Sequence, residues 1–446
     1  MRIIIAGMGA IGMHMTKMLS DGSHEIIVID KKDDMLQEVS THYDVMTVHG
    51  SATSFADLKE AGIKRADLFV ALTHTVEINI TACMLAKQLG AKKTIARVDN
   101  QEYLLPLNKS HFYNMGIDSL IYPQKLAARE IVNLLNETGT TEVFNFYGGK
   151  LSLFVIKLET DAPIIGQRLR DVAVNSQDMV FRAVAVARNG KTTIPHPDEV
   201  FVEGDLVYVI TNQHGISQMM DFAGTKRLAC NNIMILGGSQ IGVRTAHILE
   251  KNSNIKLIEI DKERSEYLAD YLTGSLVINA DGREIETLKE EGLGMMDVFI
   301  GVTGNDELNI LSCIQAKKLG VKKTIASVEN MEYLHLAETM GIDAIINKKL
   351  IAASYILRFT MTAEVPSFLC LTGSDAEVLE FLVKADSKIT KGPLRDLGFP
   401  KDAVIGGVIR ERTSFIATGD TEIHPQDRVV VFALPTALQK VDKFFN

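Results

Sequence analysis

Cysteine is scarce in this chain of 446 residues: only Cys83, Cys230, Cys313 and Cys370 occur, none in a C-x-x-C pair. That excludes a disulfide-stapled scaffold and a zinc site built on paired thiolates, and it fits a reducing cytoplasm. Cys83 and Cys313 fall in matching apolar helical stretches and are expected to be small core residues. Positive charge is also short. Lys and Arg number 47 against 56 Asp and Glu, a formal net charge of −9. A nucleic-acid binder carries a basic face, and adhesion to anionic lipid needs clustered Lys and Arg, so neither partner is expected. No apolar run approaches the roughly 18 residues of a membrane-crossing helix, so direct membrane insertion is not expected and any role at a membrane passes through a partner. Met1 leads straight into a strand, which predicts that no signal peptide precedes the fold. The length suits two to four domains, and the 46% apolar content is ordinary for a globular protein.

What is present begins at the first residues. Arg2-Ile3-Ile4-Ile5-Ala6 is a short β-branched run of the kind that forms a buried parallel strand. Gly7-Met8-Gly9-Ala10-Ile11-Gly12 follows at once and fits G-x-G-x-x-G; residues 13–20 then read as a helix, and Glu25-Ile26-Ile27-Val28-Ile29 as a second strand ending on Asp30. This is the order of a dinucleotide-binding unit. Gly7 permits the tight turn, Gly9 lets backbone approach a pyrophosphate, and Gly12 lets helix and strand pack closely. The helix N-terminus offers free amides and a positive dipole end to phosphate. Asp30 can accept from ribose hydroxyls and would repel a 2′-phosphate, which favours NAD(H) or an adenine nucleotide over NADP(H).

The pattern returns. Asn232-Ile233-Met234-Ile235-Leu236 leads into Gly237-Gly238-Ser239-Gln240-Ile241-Gly242, then a helix, then Lys256-Leu257-Ile258-Glu259-Ile260 and Asp261. Gly7 to Gly237 is an offset of 230, and Asp30 to Asp261 one of 231. The match continues through residues 67–73 and 297–303, 77–79 and 307–309, 92–96 and 322–326, and 102–104 and 332–334. An internal repeat decides architecture ahead of any single motif.

Each half divides again. Strands expected near 2–6, 25–29, 45–49, 68–72, 94–98 and 118–121 alternate with helical stretches, which is a doubly wound parallel sheet. Residues 136–141 are polar and read as a linker. From 142 the texture is strands and turns, with Arg188-Asn189-Gly190-Lys191 as a hairpin signal. Leu169-Arg170-Asp171 matches Leu394-Arg395-Asp396, and Asp205-Leu206-Val207 resembles Asp427-Arg428-Val429, so the small unit has a copy too. The fold class is therefore α/β: two Rossmann-like doubly wound parallel sheets, each followed by a small α+β domain. The expected boundaries are 1–137, 142–222, 230–364 and 368–446.

Two further segments make the family visible. Val70-Ala71-Leu72-Thr73-His74-Thr75-Val76-Glu77-Ile78-Asn79 and Ile95-Ala96-Arg97-Val98 resemble the strand-four and strand-five segments of the tandem RCK (KTN) family, the regulatory subunits of Trk-type potassium uptake systems. The resemblance covers essentially the whole chain. It implies two RCK N-terminal (Rossmann) domains, each followed by an RCK-C domain, with NAD(H) and ATP or ADP as ligands. It implies self-pairing into a ring, here a homotetramer, and a place on the cytoplasmic face of the membrane beneath a Trk-type potassium-translocating membrane subunit that it gates. It also implies that residues 125–135 and 349–357 are crossover helices joining neighbouring domains; periodicity alone leaves open a core-facing helix of the same domain.

In the first site the reading names Gly7, Met8, Gly9, Ala10, Ile11 and Gly12 for the phosphate turn and Asp30 for the ribose. The resemblance adds Ser51 and Ala52 at the adenine edge, where the family often has Gly-Asp, and gives Arg97 a nucleotide phosphate as partner. Thr73 and His74 close the site after strand four, His74 as a polar rim residue. In the second site the residues are Gly237, Gly238, Ser239, Gln240, Ile241, Asp261 and Asp281. Two departures stand out: Ser239 replaces the middle glycine, crowding the pyrophosphate while offering a hydroxyl donor, and Ser327 stands where the first half has Arg97. The second site is therefore expected to bind more weakly or to prefer less phosphate charge, a lost charge-assisted contact costing about 1.5–3 kcal/mol.

The rival reading is an NAD-dependent oxidoreductase, since one nucleotide fold serves many reactions. It requires an acid or base beside the nicotinamide. The histidines of the small domains, His196, His214 and His424, lie in turn-like sequence, and no nucleophile elbow, metal cluster or P-loop lysine appears. Regulation without catalysis is the favoured expectation. An efflux-antiporter regulator is a third reading, disfavoured because it usually carries the nucleotide domain once, joined to membrane helices.

Overall fold

The computed structural model describes residues 1–20, 24–136, 142–158, 160–174, 181–188, 191–212, 215–216, 219, 221, 230–361, 363–371 and 376–446. Of the expected linker 136–141, Asn136 ends the helix Pro123–Asn136 and the remaining residues, like the tip Asn189-Gly190 and His214, lie outside the described residues.

The opening strand β1 (Arg2–Ala6) is buried along its whole length, as a continuous apolar run must be when both faces of its sheet are covered. It pairs in parallel with β2 (Glu25–Asp30) and β4 (Leu68–Ala71). With β3 (Met46–His49), β5 (Lys93–Arg97) and β6 (Ser119–Ile121) the sheet runs β3-β2-β1-β4-β5-β6. The chain reverses direction across the sheet between β1 and β4, which opens a crevice at the carboxyl ends of those strands. The second half repeats this with β12 (Asn232–Leu236), β13 (Asn254–Glu259), β14 (Ser275–Asn279), β15 (Val298–Gly301), β16 (Lys323–Ser327) and β17 (Ala344–Ile346), in the order β14-β13-β12-β15-β16-β17.

The small domains also repeat. β7 (Glu142–Phe146), β8 (Leu151–Lys157), β9 (Phe181–Arg188), β10 (Lys191–Thr193) and β11 (Leu206–Thr211) make a sheet ordered β7-β8-β11-β9-β10. β18 (Ser367–Cys370), β19 (Glu377–Leu382), β20 (Ala403–Arg410), β21 (Thr413–Ile416) and β22 (Arg428–Ala433) make one ordered β18-β19-β22-β20-β21. The two sheets share one core, in which Leu151, Val184, Tyr208 and Ile210 of the first meet Val378, Val430 and Phe432 of the second. The Tyr208 and Phe432 rings lie 5.7 Å apart. The half-buried Arg182 donates across to the Ala417 carbonyl at 2.7 Å.

Two compact units result, and they do not coincide with the sequence halves. One is residues 1–126 with 349–360; the other is 127–348 with 361–446. Thus the helix Pro123–Asn136 leaves the first unit at Leu126, and most of the helix Lys348–Leu357 belongs to the unit of the first sheet. Of the two arrangements left open by periodicity, the structure has the crossover. Tyr355 bonds Ser119 through their hydroxyls at 2.9 Å, and Lys93 lies 5.9 Å from the Phe359 ring centre. In the other unit the buried Lys323 donates to the Leu134 carbonyl at 2.7 Å, capping a helix end whose last carbonyls lack intrahelical partners. Among the described residues no helix is long and apolar enough to cross a membrane.

Candidate nucleotide sites

In the first half Gly7 adopts a φ of +98° and donates to the Ile29 carbonyl at 2.9 Å, turning the chain sharply off β1. A Cβ on Gly12 would collide with the Gly7 carbonyl oxygen, so the helix Ala10–Ser20 packs this close to the turn only without a side chain there. The first intrahelical bond runs from Met13 to the Gly9 carbonyl, and amides before it in a helix face outward without intrahelical partners. The Asp30 carboxylate accepts from the Met8 amide at 2.6 Å and the Lys32 amide at 2.9 Å. It is thereby fixed against the turn, with lone pairs left for further donors.

Ser51 follows the carboxyl end of β3; its amide donates to Asp57 at 2.7 Å and its hydroxyl meets Thr53 at 3.0 Å. Ala52 is buried in the apolar core of the sheet, so only its backbone is available to a ligand. Thr73 ends the segment after β4, and Asn79 brackets it: the Asn79 side-chain oxygen accepts from the Thr73 amide at 2.9 Å, and its nitrogen donates to the carbonyls of Thr73 at 3.0 Å and Arg97 at 2.9 Å. Arg97 stands half-buried at the end of β5. His74 is exposed, with Nε2 3.2 Å from where Gly9 would carry a Cβ, so its ring lies over the phosphate turn.

The second half keeps the frame and changes the lining. Gly237 has φ +108° and donates to Ile258. Asn309 brackets Thr303 and Ser327 through the same bonds that Asn79 makes to Thr73 and Arg97. Two expectations require correction. Asp261 does not occupy the position of Asp30. β13 ends on Glu259, whose carboxylate accepts from the Gly238 amide at 2.8 Å and the Asp261 amide at 2.8 Å. Asp261 caps the next helix by accepting from the Arg264 amide at 2.7 Å. Nor is the Ser239 hydroxyl a spare donor: it gives its hydrogen to the Val302 carbonyl at 2.6 Å and caps the helix Gln240–Leu249 by accepting from the Gly242 amide. Gln240 and Ile241 begin that helix beside the turn, with Ile241 buried. Asp281 stands where the first half has Ser51, and Arg283 binds both its oxygens, which holds its carboxyl below the ordinary range.

Of these residues Gly237, Gly238, Ser239, Glu259, Asp281 and Thr303 line a cleft of about 840 Å³, a size that suits small-molecule ligands, and Gln240, Ile241 and Asp261 do not. One wall is Gly237, Gly238, Glu259, Arg264 and Asp281; the other is Thr303, Gly304, Glu307, Leu308 and Leu311. Arg264 reaches back to donate to the Gly238 carbonyl at 2.7 Å. Sequence reasoning missed Glu259, Arg264, Arg283 and the bracketing role of Asn79 and Asn309. The repeated asparagine within Glu-x-Asn was the available signal for the last pair. Among the described residues no group of three or more His, Cys, Asp or Glu could hold a metal ion.

A glycine turn, an acid at the end of the second strand and a crevice at the topological switch, all built twice, define a tandem nucleotide-fold protein. The chain matches the TrkA-N domain family over residues 3–123 and 233–348, and the TrkA-C domain family over 153–224 and 378–446. It belongs to the TrkA family. The Trk system potassium uptake protein TrkA homolog of Archaeoglobus fulgidus is 33% identical over 448 residues, covering all of both chains. The Trk system potassium uptake protein TrkA of Vibrio alginolyticus is 31% identical, with 97% of this chain and 95% of that protein covered. Among solved structures, the GsuK channel bound to NAD matches with a TM-score of 0.62 at 16% identity, over 100% of this chain and 78% of that one. This last likeness is one of fold.

Proposed function

We propose that this chain is a cytosolic nucleotide-sensing regulatory subunit that binds NAD(H), ATP or ADP and gates a Trk-type potassium-translocating membrane subunit. The observation that carries the reading is the duplicated frame: Gly7, Asp30, Thr73 and Asn79 in one half recur as Gly237, Glu259, Thr303 and Asn309 in the other, joined by the same hydrogen bonds. In this reading Gly7–Gly12 and Gly237–Ile241 hold phosphate through backbone amides, and Asp30 and Glu259 meet the ribose. Ser51 and Asp281 edge the adenine, and Thr73, His74 and Arg97 close the first site. The four domains keep the boundaries 1–137, 142–222, 230–364 and 368–446.

The protein senses its ligand without converting it. The far wall of the second cleft is Leu308, Leu311, Ser312 and Gln315 with Glu307, a lining that holds a ligand. Copies pair into a homotetrameric ring at the cytoplasmic face of the membrane, beneath the transporter. A ligand shifts such a ring only by its difference in affinity for two ring shapes. Moving the balance from 1:99 to 99:1 takes about 5.5 kcal/mol, around a kcal/mol per site when several sites share it. Titration of the purified chain with NAD⁺, NADH, ATP and ADP, with light scattering to follow assembly, is expected to show saturable binding and a ligand-dependent change in assembly. Absence of binding to every adenine compound, or unchanged potassium uptake in cells lacking the protein, would overturn the reading.

A further inference from the structure

The two clefts share a frame but distribute charge differently. On the near side, facing the strand-two acid, the second cleft has two arginines: Arg264, bonded to the Gly238 carbonyl, and Arg283, bonded to Asp281. The position of Arg264 in the first half is Met35, because Asp261 and Lys32 occupy equivalent places beside the acid. On the far side, beyond the strand that follows the switch, the relation inverts. The first half has Arg97 at the end of β5 and His74 lying over the turn. The second has the buried Ser327 and the exposed Gly304, and a Cβ added to Gly304 would meet no atom within 4 Å. Its far wall of Asn305, Leu308, Leu311, Ser312 and Gln315 includes the Glu307 carboxylate, which accepts from the Tyr333 hydroxyl; Glu77 stands at the same place in the first half, so what distinguishes the far sides is Arg97 and His74 against Ser327 and Gly304.

A nucleotide laid across such a turn places adenosine on the near side and its first phosphates at the helix N-terminus. What then reaches the far side differs by ligand. For ADP or ATP it is a terminal phosphate, which gains from a guanidinium and is disfavoured where a carboxylate stands with no cation beside it. For NAD(H) it is a nicotinamide riboside without phosphate, neutral when reduced and cationic when oxidised, which needs room and tolerates a carboxylate. We propose that the clefts divide these ligands: the first takes the adenine di- or triphosphate, with Arg97 and His74 at its terminal phosphate, and the second takes the dinucleotide, its nicotinamide half lying against Gly304, Leu308 and Leu311. This division rests on the reading of both clefts as nucleotide sites.

The chain contains no tryptophan, so one introduced indole reports one cleft. Leu311 is exposed on the rim of the second cleft, and Thr81, 230 residues earlier, is exposed at the matching place in the first. In the full chain, Leu311→Trp emission is expected to respond to NADH at concentrations at least tenfold below those of ATP. Thr81→Trp is expected to show the reverse order. Arg97→Ser, added to each reporter chain separately, should erase the ATP preference of Thr81→Trp by at least tenfold and leave the NADH-over-ATP order of Leu311→Trp unchanged. The same order of preference at both reporters, or an unaltered order after Arg97→Ser, would overturn the division while leaving both clefts as nucleotide sites. Silence of both reporters toward every adenine nucleotide, matched by no heat of binding in calorimetry of the unaltered chain, would instead overturn the underlying site reading together with the division.

Discussion

The length of Glu259 is matched to the absence of a side chain on Gly238. In the first half an aspartate reaches the Met8 amide; in the second a glutamate, one methylene longer, reaches the Gly238 amide, and a Cβ on residue 238 would lie 2.5 Å from its Oε2 and 2.6 Å from a Leu268 methyl. Gly238→Ala should therefore displace the carboxylate, costing about 1–2 kcal/mol of stability and weakening ligand binding at the second cleft alone. Adding Glu259→Asp should restore part of both, a coupling that a double-mutant cycle of unfolding and titration would measure. This pair also shows what the sequence conceals. The offset between halves is 230 at Gly7 and Gly237, 229 at Asp30 and Glu259, and 230 again at Ser51 and Asp281. A one-residue change of loop length before β13 is invisible without strand register, so the more prominent Asp261 takes the role that Glu259 holds. A second residue carries a pH signature. His14, on the helix after the first turn, is held down to about 4 by burial and then by Lys349 and Lys17, and its Nε2 is buried without a partner. A depressed folded pKa means the unfolded chain takes up the proton more readily. Stability present above pH 6.5 is therefore lost as pH falls toward 4, at up to about 1.4 kcal/mol per pH unit. His14→Leu should flatten the midpoint of thermal unfolding across that window.

At the scale of elements, the repeated segments sort into pins at the amino ends of the strands and brackets at their carboxyl ends. Asp67 accepts from Lys92 at 2.7 Å and from the Arg2 amide at 2.8 Å, and Asp297 from Lys322 and the Asn232 amide, both at 3.1 Å. The first lysine of each doubled pair binds the aspartate that also accepts from an amide of β1 or β12, at the end remote from the cleft. The small-domain matches are structural in the same sense: Arg188 binds the buried Asp205 with two bonds of 2.6 and 2.8 Å, and Arg410 binds the buried Asp427 at 2.9 and 2.7 Å. Repetition was legible in the sequence; which repeats pin the fold and which face the ligand was not, because that depends on which end of a strand a residue occupies. The asparagine bracket belongs to both classes. Asn309→Ala would leave the Thr303 amide and the Ser327 carbonyl without their partners in a buried place, costing about 2–4 kcal/mol and loosening the wall that holds Thr303. Denaturant unfolding should show the loss of stability, and nucleotide titration a weakened second cleft, with the first affected less. Cys83 and Cys313, at matching places on the helices behind these brackets, donate to the Ile95 and Ile325 carbonyls at 3.3 and 3.4 Å. Burial pushes the Cys313 thiol up to about 12, so both act as packing residues.

At the scale of the molecule, the exchange of helices makes neither sequence half a complete body. The unit around the first sheet includes residues 349–360 from the far half of the chain. Within it Ile356 and Leu357 are buried, Tyr355 bonds Ser119, Phe359 lies beside Lys93, and Lys349 acts on His14. Burial of Ile356 and Leu357 alone contributes about 3–6 kcal/mol, a large share of the 5–15 kcal/mol that typically separates a folded from an unfolded domain. A ligand that changes the first cleft therefore acts on a body partly made of the second half, and linkage requires the converse to hold with equal magnitude. The expected outcome of dividing the chain follows. A fragment of residues 1–136 should unfold at a markedly lower temperature than the first unit of the intact chain, and adding a fragment of residues 142–446 should raise that temperature in proportion to the logarithm of its concentration, as mass action demands of a partner that binds only the folded form. Tyr355→Ala in the second fragment should reduce that rescue. A fragment 1–136 as stable alone as in the intact chain would show that the return helix is dispensable, and with it the physical basis for coupling one nucleotide cleft to the other through the exchanged helices.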